Sequence, residues 1–237
     1  QAAVVKALEA IAAQDAGDEL GVIVVDDGSD TPVEAAISPE LRERLPIRVL
    51  RQQNGGPARA RNAGVAASTA EYIGFVDDDV RVDPGWLKAY RDAIEASSGP
   101  TAFFGPLSLP ANWRPSPWIR WEAETLAVEY GRMLAGVYEP TWRQFFTGNA
   151  VVRRDFILRA GCFDESFTRA EDIEMAIRLE NVCGTKFCFV PGAIGWHYAH
   201  RTIESWLRIP RAYGAFDVTI DETHPWTGHR ERLTGEL

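Results

Sequence analysis

The run Val22-Ile23-Val24-Val25 is uniformly apolar and β-branched, and it stops abruptly at Asp26-Asp27-Gly28-Ser29. A strand of that composition is buried on both faces, which requires helices above and below it and commits this part of the chain to an α/β layer. The pattern recurs where Tyr72-Ile73-Gly74-Phe75-Val76 runs into Asp77-Asp78-Asp79. Around these runs, Val4, Leu8, Ile11 and Ala12 fall at helical spacing within residues 1–14, and an acidic loop follows over 15–21. A strand is expected over 47–50, a helix over 57–68 opened by Gly55-Gly56-Pro57, a helix over 86–96 and a strand over 102–104. This alternation predicts a mostly parallel, doubly wound central sheet flanked by helices. Ligands of such sheets bind beyond the carboxyl ends of the strands, where both acidic clusters lie.

Past residue 105 the pattern loosens into a Pro/Trp-rich stretch, 106–142, with Trp113, Trp118 and Trp121 and a helix expected over 122–134. Ile173, Ala176, Ile177 and Glu180 then mark a helix opened by Glu171-Asp172. A strand over 187–190 and a short helix over 202–207, ending before Pro210, complete the reading. With 237 residues and 46% hydrophobic content, one large domain over 1–237 is expected. The net charge of -9 argues against a protein built to grip nucleic-acid phosphates. Cys162, Cys183 and Cys188 form neither a paired set nor a zinc spacing, so no disulfide framework is implied and a reducing cytoplasm fits. No window approaches the ~20 apolar residues of a spanning helix, and no leader pattern opens the sequence.

Several groups carry chemistry, each with a plainer alternative. Asp77 and Asp79 form an Asp-x-Asp that can hold Mg²⁺ or Mn²⁺ through hard oxygens while leaving positions for phosphate, or they make a solvated acidic turn. Asp26 and Asp27 can accept hydrogen bonds from a nucleobase or ribose, or simply shape a turn. Arg59 and Arg61 point about 200° apart on a helix, so at most one faces a cleft. Glu171 and Asp172 sit near the positive end of a helix dipole, which favours an ionised base and suits an ordinary cap equally well. His197, close to His200 and Arg201, is a metal or diphosphate ligand or a structural histidine.

Taken in order, VIVVDDGSDT, NGGPARARNAG, YIGFVDDDV, FTGNAVVRRDFILRAGCFDESF, EDIEMAIRL and WHYAHR resemble the family 2 glycosyltransferases, which adopt the GT-A nucleotide-sugar fold. The resemblance implies a nucleotide-binding half over 1–105, an acceptor and catalytic half over 106–213 and a tail over 214–237. It places Asp26, Asp27 and Arg61 at the nucleobase, Asp77 and Asp78 at the nucleotide, and Asp77, Asp79 and His197 around a divalent Mn²⁺ or Mg²⁺. Asp172 becomes the catalytic base, with Gly148, Asn149 and Glu171 at the sugar and acceptor. Trp113, with Trp118 and Trp121, either stacks on a sugar ring or lipid-linked acceptor or packs as a lid. The implied reaction is inverting transfer from a nucleoside-diphosphate sugar, UDP-type by the family pattern, to an acceptor hydroxyl. It would serve cell-wall or polysaccharide assembly at the cytoplasmic face of a membrane, with peripheral membrane association. The family opens with a strand that would precede Gln1. Rival readings are a nucleotidyltransferase that makes nucleotide sugars, a nucleotide- or glycan-binding module without turnover, and a phosphoacceptor signalling domain.

Overall fold

A computed structural model describes residues 2–15 and 20–227. Gln1, part of the expected acidic loop (16–19) and the last ten residues of the expected tail (228–237) lie outside the described residues. The chain opens with α1 (Ala2–Ala12), whose Leu8 packs with Val33, Ile37, Leu41 and Leu45. β1 (Val22–Asp27), α2 (Pro39–Arg44) and β2 (Ile47–Gln52) follow, with β1 and β2 parallel and in register from Val22 opposite Ile47 to Asp27 opposite Gln52. Pro39 begins α2 at a position where its missing N–H costs nothing, and the Ser38 hydroxyl accepts from Leu41 N at 3.3 Å. Next come α3 (Gly56–Ala67), β3 (Tyr72–Val76), β4 (Val80–Val82), α4 (Trp86–Ala96), β5 (Thr101–Phe104) and β6 (Leu107–Ser108). The second half supplies α5 (Pro117–Leu134), β7 (Asn149–Arg153), α6 (Arg154–Arg159), α7 (Glu171–Cys183), β8 (Lys186–Phe189), β9 (Gly195–His197) and α8 (Ile203–Thr223).

The α/β class stands, while the pairing is more mixed than strand-helix alternation predicts. The larger sheet runs β3-β7-β5-β8, and β7 is antiparallel to both of its neighbours. β5–β8, β1–β2 and β6–β9 are parallel, and β4–β9 is antiparallel. Among the described residues, the β1–β2 pair forms a sheet of its own, and its strands make no ladder with β3.

Period-two alternation divides the larger sheet between two cores. Ala102, Phe104, Ala150 and Val152 face Ile157, Met175 and Leu179 of α6 and α7, whereas Phe103 and Val151 face Trp86 and Tyr90 of α4. Both faces are covered, so β5 and β7 read as continuous apolar runs. No helix among the described residues is long and apolar enough to cross a membrane.

Sequence reading expects the last helix to stop before Pro210. Instead α8 continues through it to Thr223. A buried cluster at its end accounts for the continuation: His224 Nε2 lies 3.1 Å from Glu174 Oε1, and Arg178 grips the same carboxylate with its Nε at 2.7 Å. Ile220 is fully buried, and Phe216 packs against Phe167. These contacts outweigh the hydrogen bond that a mid-helix proline forfeits.

Asn149 joins the layers. Its Nδ2 donates to Pro106 O (3.0 Å) and Ala193 O (2.7 Å), and its Oδ1 accepts from Trp86 Nε1 (2.7 Å) and the Tyr90 hydroxyl (3.0 Å). Gly105 and Gly195 provide the room. A Cβ at Gly105 would overlap Ala193 O, and one at Gly195 would lie 2.8 Å from Val80 Cγ1 and 3.2 Å from the Asn149 amide. Asn149→Ala would leave Trp86 Nε1 and Ala193 O without these partners, while the Tyr90 hydroxyl keeps Asn149 O and Pro106 O keeps Gly195 N, so we expect a loss of about 3 kcal/mol in urea unfolding.

Candidate active site

The strand ends converge on a cavity of about 720 Å³. It is lined by Asp77, Asp78 and Asp79 after β3, Arg61 from α3, His197 from β9, Gly148, Glu171 and Asp172, and by residues of α5 and α8.

Asp77, Asp78 and Asp79 occupy the turn between β3 and β4, fixed by a hydrogen bond from Val80 N to Asp77 O (3.0 Å) and one from Asp77 N to Gly148 O (3.3 Å). A Cβ at Gly148 would sit 2.9 Å from Asp77 Oδ2, so glycine there lets this carboxylate lie against β7. Asp79 Oδ2 lies 3.4 Å from His197 Nε2, on the neighbouring strand of the β4–β9 ladder. Desolvation opposes ionisation of Asp79, yet the hydrogen bond and charge of His197 leave its pKa lowered. Asp78 goes the other way, pushed up by desolvation and by the like charges of Asp79 and Asp77.

Asp172 lies in the first turn of α7, whose first residue follows Ala170 in the left-handed region at φ 58. Its Oδ1 accepts from Ile173 N at 2.9 Å and its Oδ2 from Thr147 N at 3.4 Å. Burial, with the Glu171 charge second, raises its pKa to about 6, even though Arg61 and the two backbone donors pull it down. A carboxylate of that pKa is ionised at neutral pH and basic enough to take a proton. Tyr213, which sequence reading does not single out, lines the same cavity; burial and the charges of Asp172 and Glu171 push it up to about 12. It lies beyond Pro210, where the helix was expected to have ended.

Arg61 bridges the two acidic groups. It pairs closely with Glu171, and its Nη2 lies 3.4 Å from Asp77 Oδ1. Desolvation disfavours its charge, but Asp77, Glu171 and Asp172 together keep its pKa raised. The guanidinium is therefore engaged by acids, a different use from the nucleobase contact the family resemblance implies. Arg59 does not line the cavity, in keeping with the opposed directions of the two arginines.

Three other expected site residues make contacts within the protein and lie outside the cavity lining. Asp27 does not line the cavity. Its Oδ1 accepts from Gln52 Nε2 (2.7 Å) and Gly55 N (2.9 Å), and its Oδ2 from Gly56 N (2.8 Å) and, at longer range, Gly55 N. With both oxygens so occupied, Asp27 holds the start of α3 and keeps Pro57 and Arg61 against the cavity. Asn149 is 1% exposed and saturated by the four hydrogen bonds described above, so its amide joins elements and does not face a ligand. Trp113 also lies outside the cavity lining, packed edge-on against Tyr198 and His200. The tryptophan that lines the cavity is Trp121.

Asp26 is 2% exposed and supports the loop after β1. It accepts from Ser29 N (2.9 Å), Val33 N (3.1 Å) and Arg51 Nη1 (2.7 Å). Burial opposes ionisation, and the backbone donors with Arg51 override it, bringing the pKa from 3.8 to about 2.

The strand-end acidic turn and the Glu171–Asp172 pair line one cavity beyond the strand ends, the position where ligands of such sheets bind. The model of the family described as "Glycosyl transferase family 2" matches residues 1–157. A pre-mycofactocin glycosyltransferase of Mycobacterium tuberculosis is 31% identical over 209 residues, covering 87% of this chain and 43% of that protein. Two solved structures share the fold. S. aureus TarS 1–349 in complex with UDP-GlcNAc has a TM-score of 0.63 at 18% identity, over 85% of this chain and 56% of that one. The mannosyltransferase PcManGT from Pyrobaculum calidifontis, in complex with GDP-Man and Mn²⁺, has a TM-score of 0.63 at 21% identity, over 89% and 57%. The chain belongs to glycosyl transferase family 2 and has the GT-A architecture. It spans under half the length of the curated relatives it matches.

Asp26 contributes to stability above pH 3.8 and loses that contribution as pH falls towards 2, because its folded pKa is the lower one. Asp26→Asn should therefore cost about 2 kcal/mol near neutrality. Chemical denaturation of both proteins at stepped pH should show the gap closing between pH 4 and pH 2.

Proposed function

We propose that this chain is the catalytic domain of an inverting glycosyltransferase that uses a nucleoside-diphosphate sugar, a divalent cation and Asp172 as general base. The observation that carries the reading is the single cavity in which Asp77, Asp78, Asp79 and His197 face Asp172. Relatives named as glycosyltransferases, and solved neighbours complexed with UDP-GlcNAc and with GDP-Man, support the donor class.

The donor set fits a hard divalent cation. Asp79 and His197 lie side by side, and the Asp77 carboxylate belongs to the same turn. Among the described residues no three such side chains close a cage by themselves. Mg²⁺ binds through one or two carboxylates together with waters and substrate phosphates, so a bound diphosphate would supply the ligands the protein lacks. The acids lining the cavity outnumber its arginines, so a diphosphate needs a cation to enter. When bound, the cation would neutralise charge that develops on the departing diphosphate.

In the proposed step the acceptor hydroxyl passes its proton to the Asp172 carboxylate as its oxygen attacks the anomeric carbon. The bond from that carbon to the diphosphate oxygen breaks, and the nucleoside diphosphate leaves with the electron pair. One base and no enzyme nucleophile give a single displacement and hence inversion. Arg61 keeps Asp172 from being raised further, and burial keeps it from falling to an ordinary carboxylate value. The acceptor is a glycan, a lipid-linked acceptor or a small molecule, and the setting is cell-wall or polysaccharide assembly at the cytoplasmic side of a membrane.

Thermal melts with a panel of nucleotide sugars should show one clear responder whose stabilisation requires Mn²⁺; silence across the panel would remove the donor site. Asp172→Asn should keep that response and lose transfer, by at least about 10²-fold. The pH profile of wild-type kcat/KM should fall on the acid side with a midpoint near 6, because the base is active only when ionised. A flat profile down to pH 5 would assign the proton to another group.

A further inference from the structure

Part of the cavity wall comes from α5 and α8, and it includes Trp121. This side chain lines the cavity and yet is 60% exposed. Unlike Trp226, which is equally exposed, Trp121 has its open ring on the cavity. It is also held in place. The Trp206 ring meets it edge-on at 6.0 Å and 88°, and the Trp206 indole donates to Glu122 Oε1 at 3.0 Å. The other oxygen of Glu122 accepts from Arg201 Nη1 at 2.8 Å, and Arg201 O accepts from Trp118 Nε1 at 3.0 Å. One carboxylate thus ties both walls together behind an open indole face.

We propose that Trp121 is the stacking platform of the acceptor subsite and that the acceptor is a saccharide presenting a pyranose ring. The inference rests on the transferase reading above. A pyranose offers an apolar C–H face to an indole and hydroxyls at its edge. Trp121 provides the matching flat surface, and Arg201 and Ser108, which also line the cavity, provide polar groups for that edge. Trp121 and Asp172 line the same cavity, so a ring held on the indole shares that space with the base. Charge argues against an anionic lipid surface as the occupant. α5 carries Glu122, Glu124 and Glu129 against two arginines, and α8 has four acids against two.

The test uses the whole chain with the donor and Mn²⁺ that stabilise it and with methyl pyranosides as acceptor probes, comparing wild type with Trp121→Ala and Trp121→Phe. The exposed position makes both variants foldable, and melting curves check this. We expect Trp121→Ala to raise the pyranoside KM by roughly ten-fold with the donor response intact, and Trp121→Phe to recover most of that loss. An unchanged KM in Trp121→Ala overturns the platform. So does a wild-type protein that responds to donor but transfers to none of the pyranosides. Loss of binding to phosphatidylcholine–phosphatidylglycerol vesicles in Trp121→Ala, with KM unmoved, would replace the saccharide by a membrane. Absence of any donor response in wild type is a different failure, that of the transferase reading itself, and it takes the platform with it.

Discussion

The buried amide of Asn149 is the constraint on which the arrangement depends. It stands at the start of the central antiparallel strand β7, and it reaches two carbonyls on one side and the indole and phenol of α4 on the other. An unpaired polar group at 1% exposure would be costly, so the chain around it is shaped to satisfy all four contacts. Two glycines at 105 and 195 exist beside it because a side chain at either would collide with this junction. The strands so fixed carry the acids: β3 and β7 are paired up to Val76 opposite Asn149, and the Asp77 turn begins at the next residue. The site inherits its geometry from that junction.

Electrostatics then separates the roles of residues that look alike in sequence. Asp26, Asp27, Asp79 and Asp172 are all strand-end or helix-start aspartates, but their surroundings pull them apart. Backbone N–H groups and Arg51 hold Asp26 down to about 2, whereas burial beside Glu171 lifts Asp172 to about 6. The first is thereby a structural anion and the second a group poised to exchange a proton. Arg61 sets the balance between the two acidic sides of the cavity, since without its charge Glu171, Asp172 and Asp77 would face one another unrelieved.

Much of this was legible from composition and spacing. The apolar runs at Val22 and Tyr72 announced strands, and Asp77, Asp78 and Asp79 do follow the second one into the cavity lining; the burial on both faces expected of the first run is not reached, since its residues from Val22 to Val25 are only half-buried. The Glu171-Asp172 pair was legible as a helix start. Sequence reading missed β7 as a strand, since its five residues merge with a longer motif and its central position depends on long-range pairing. It also stopped the last helix at Pro210, where local propensity gives way to the distant Glu174–His224 contact. Asp27 and Asn149 were read as ligand contacts. Their residue types allow that role, but which partners saturate a polar side chain is decided in three dimensions, by segments 28 and 44 residues away.

The walls of the cavity are built in different ways. The acidic turn hangs from β-ladders, where a shift in one strand disturbs its neighbours, while α5 and α8 are joined by the carboxylate of Glu122. On its inner side α5 is bound to the strands as well, because the Tyr130 hydroxyl accepts from Leu107 N at 3.2 Å and its ring stacks on Phe189. Changes confined to the exposed positions of α5 therefore leave the ladders undisturbed, which makes the outer half of this helix the part of the wall that can be rewritten most freely.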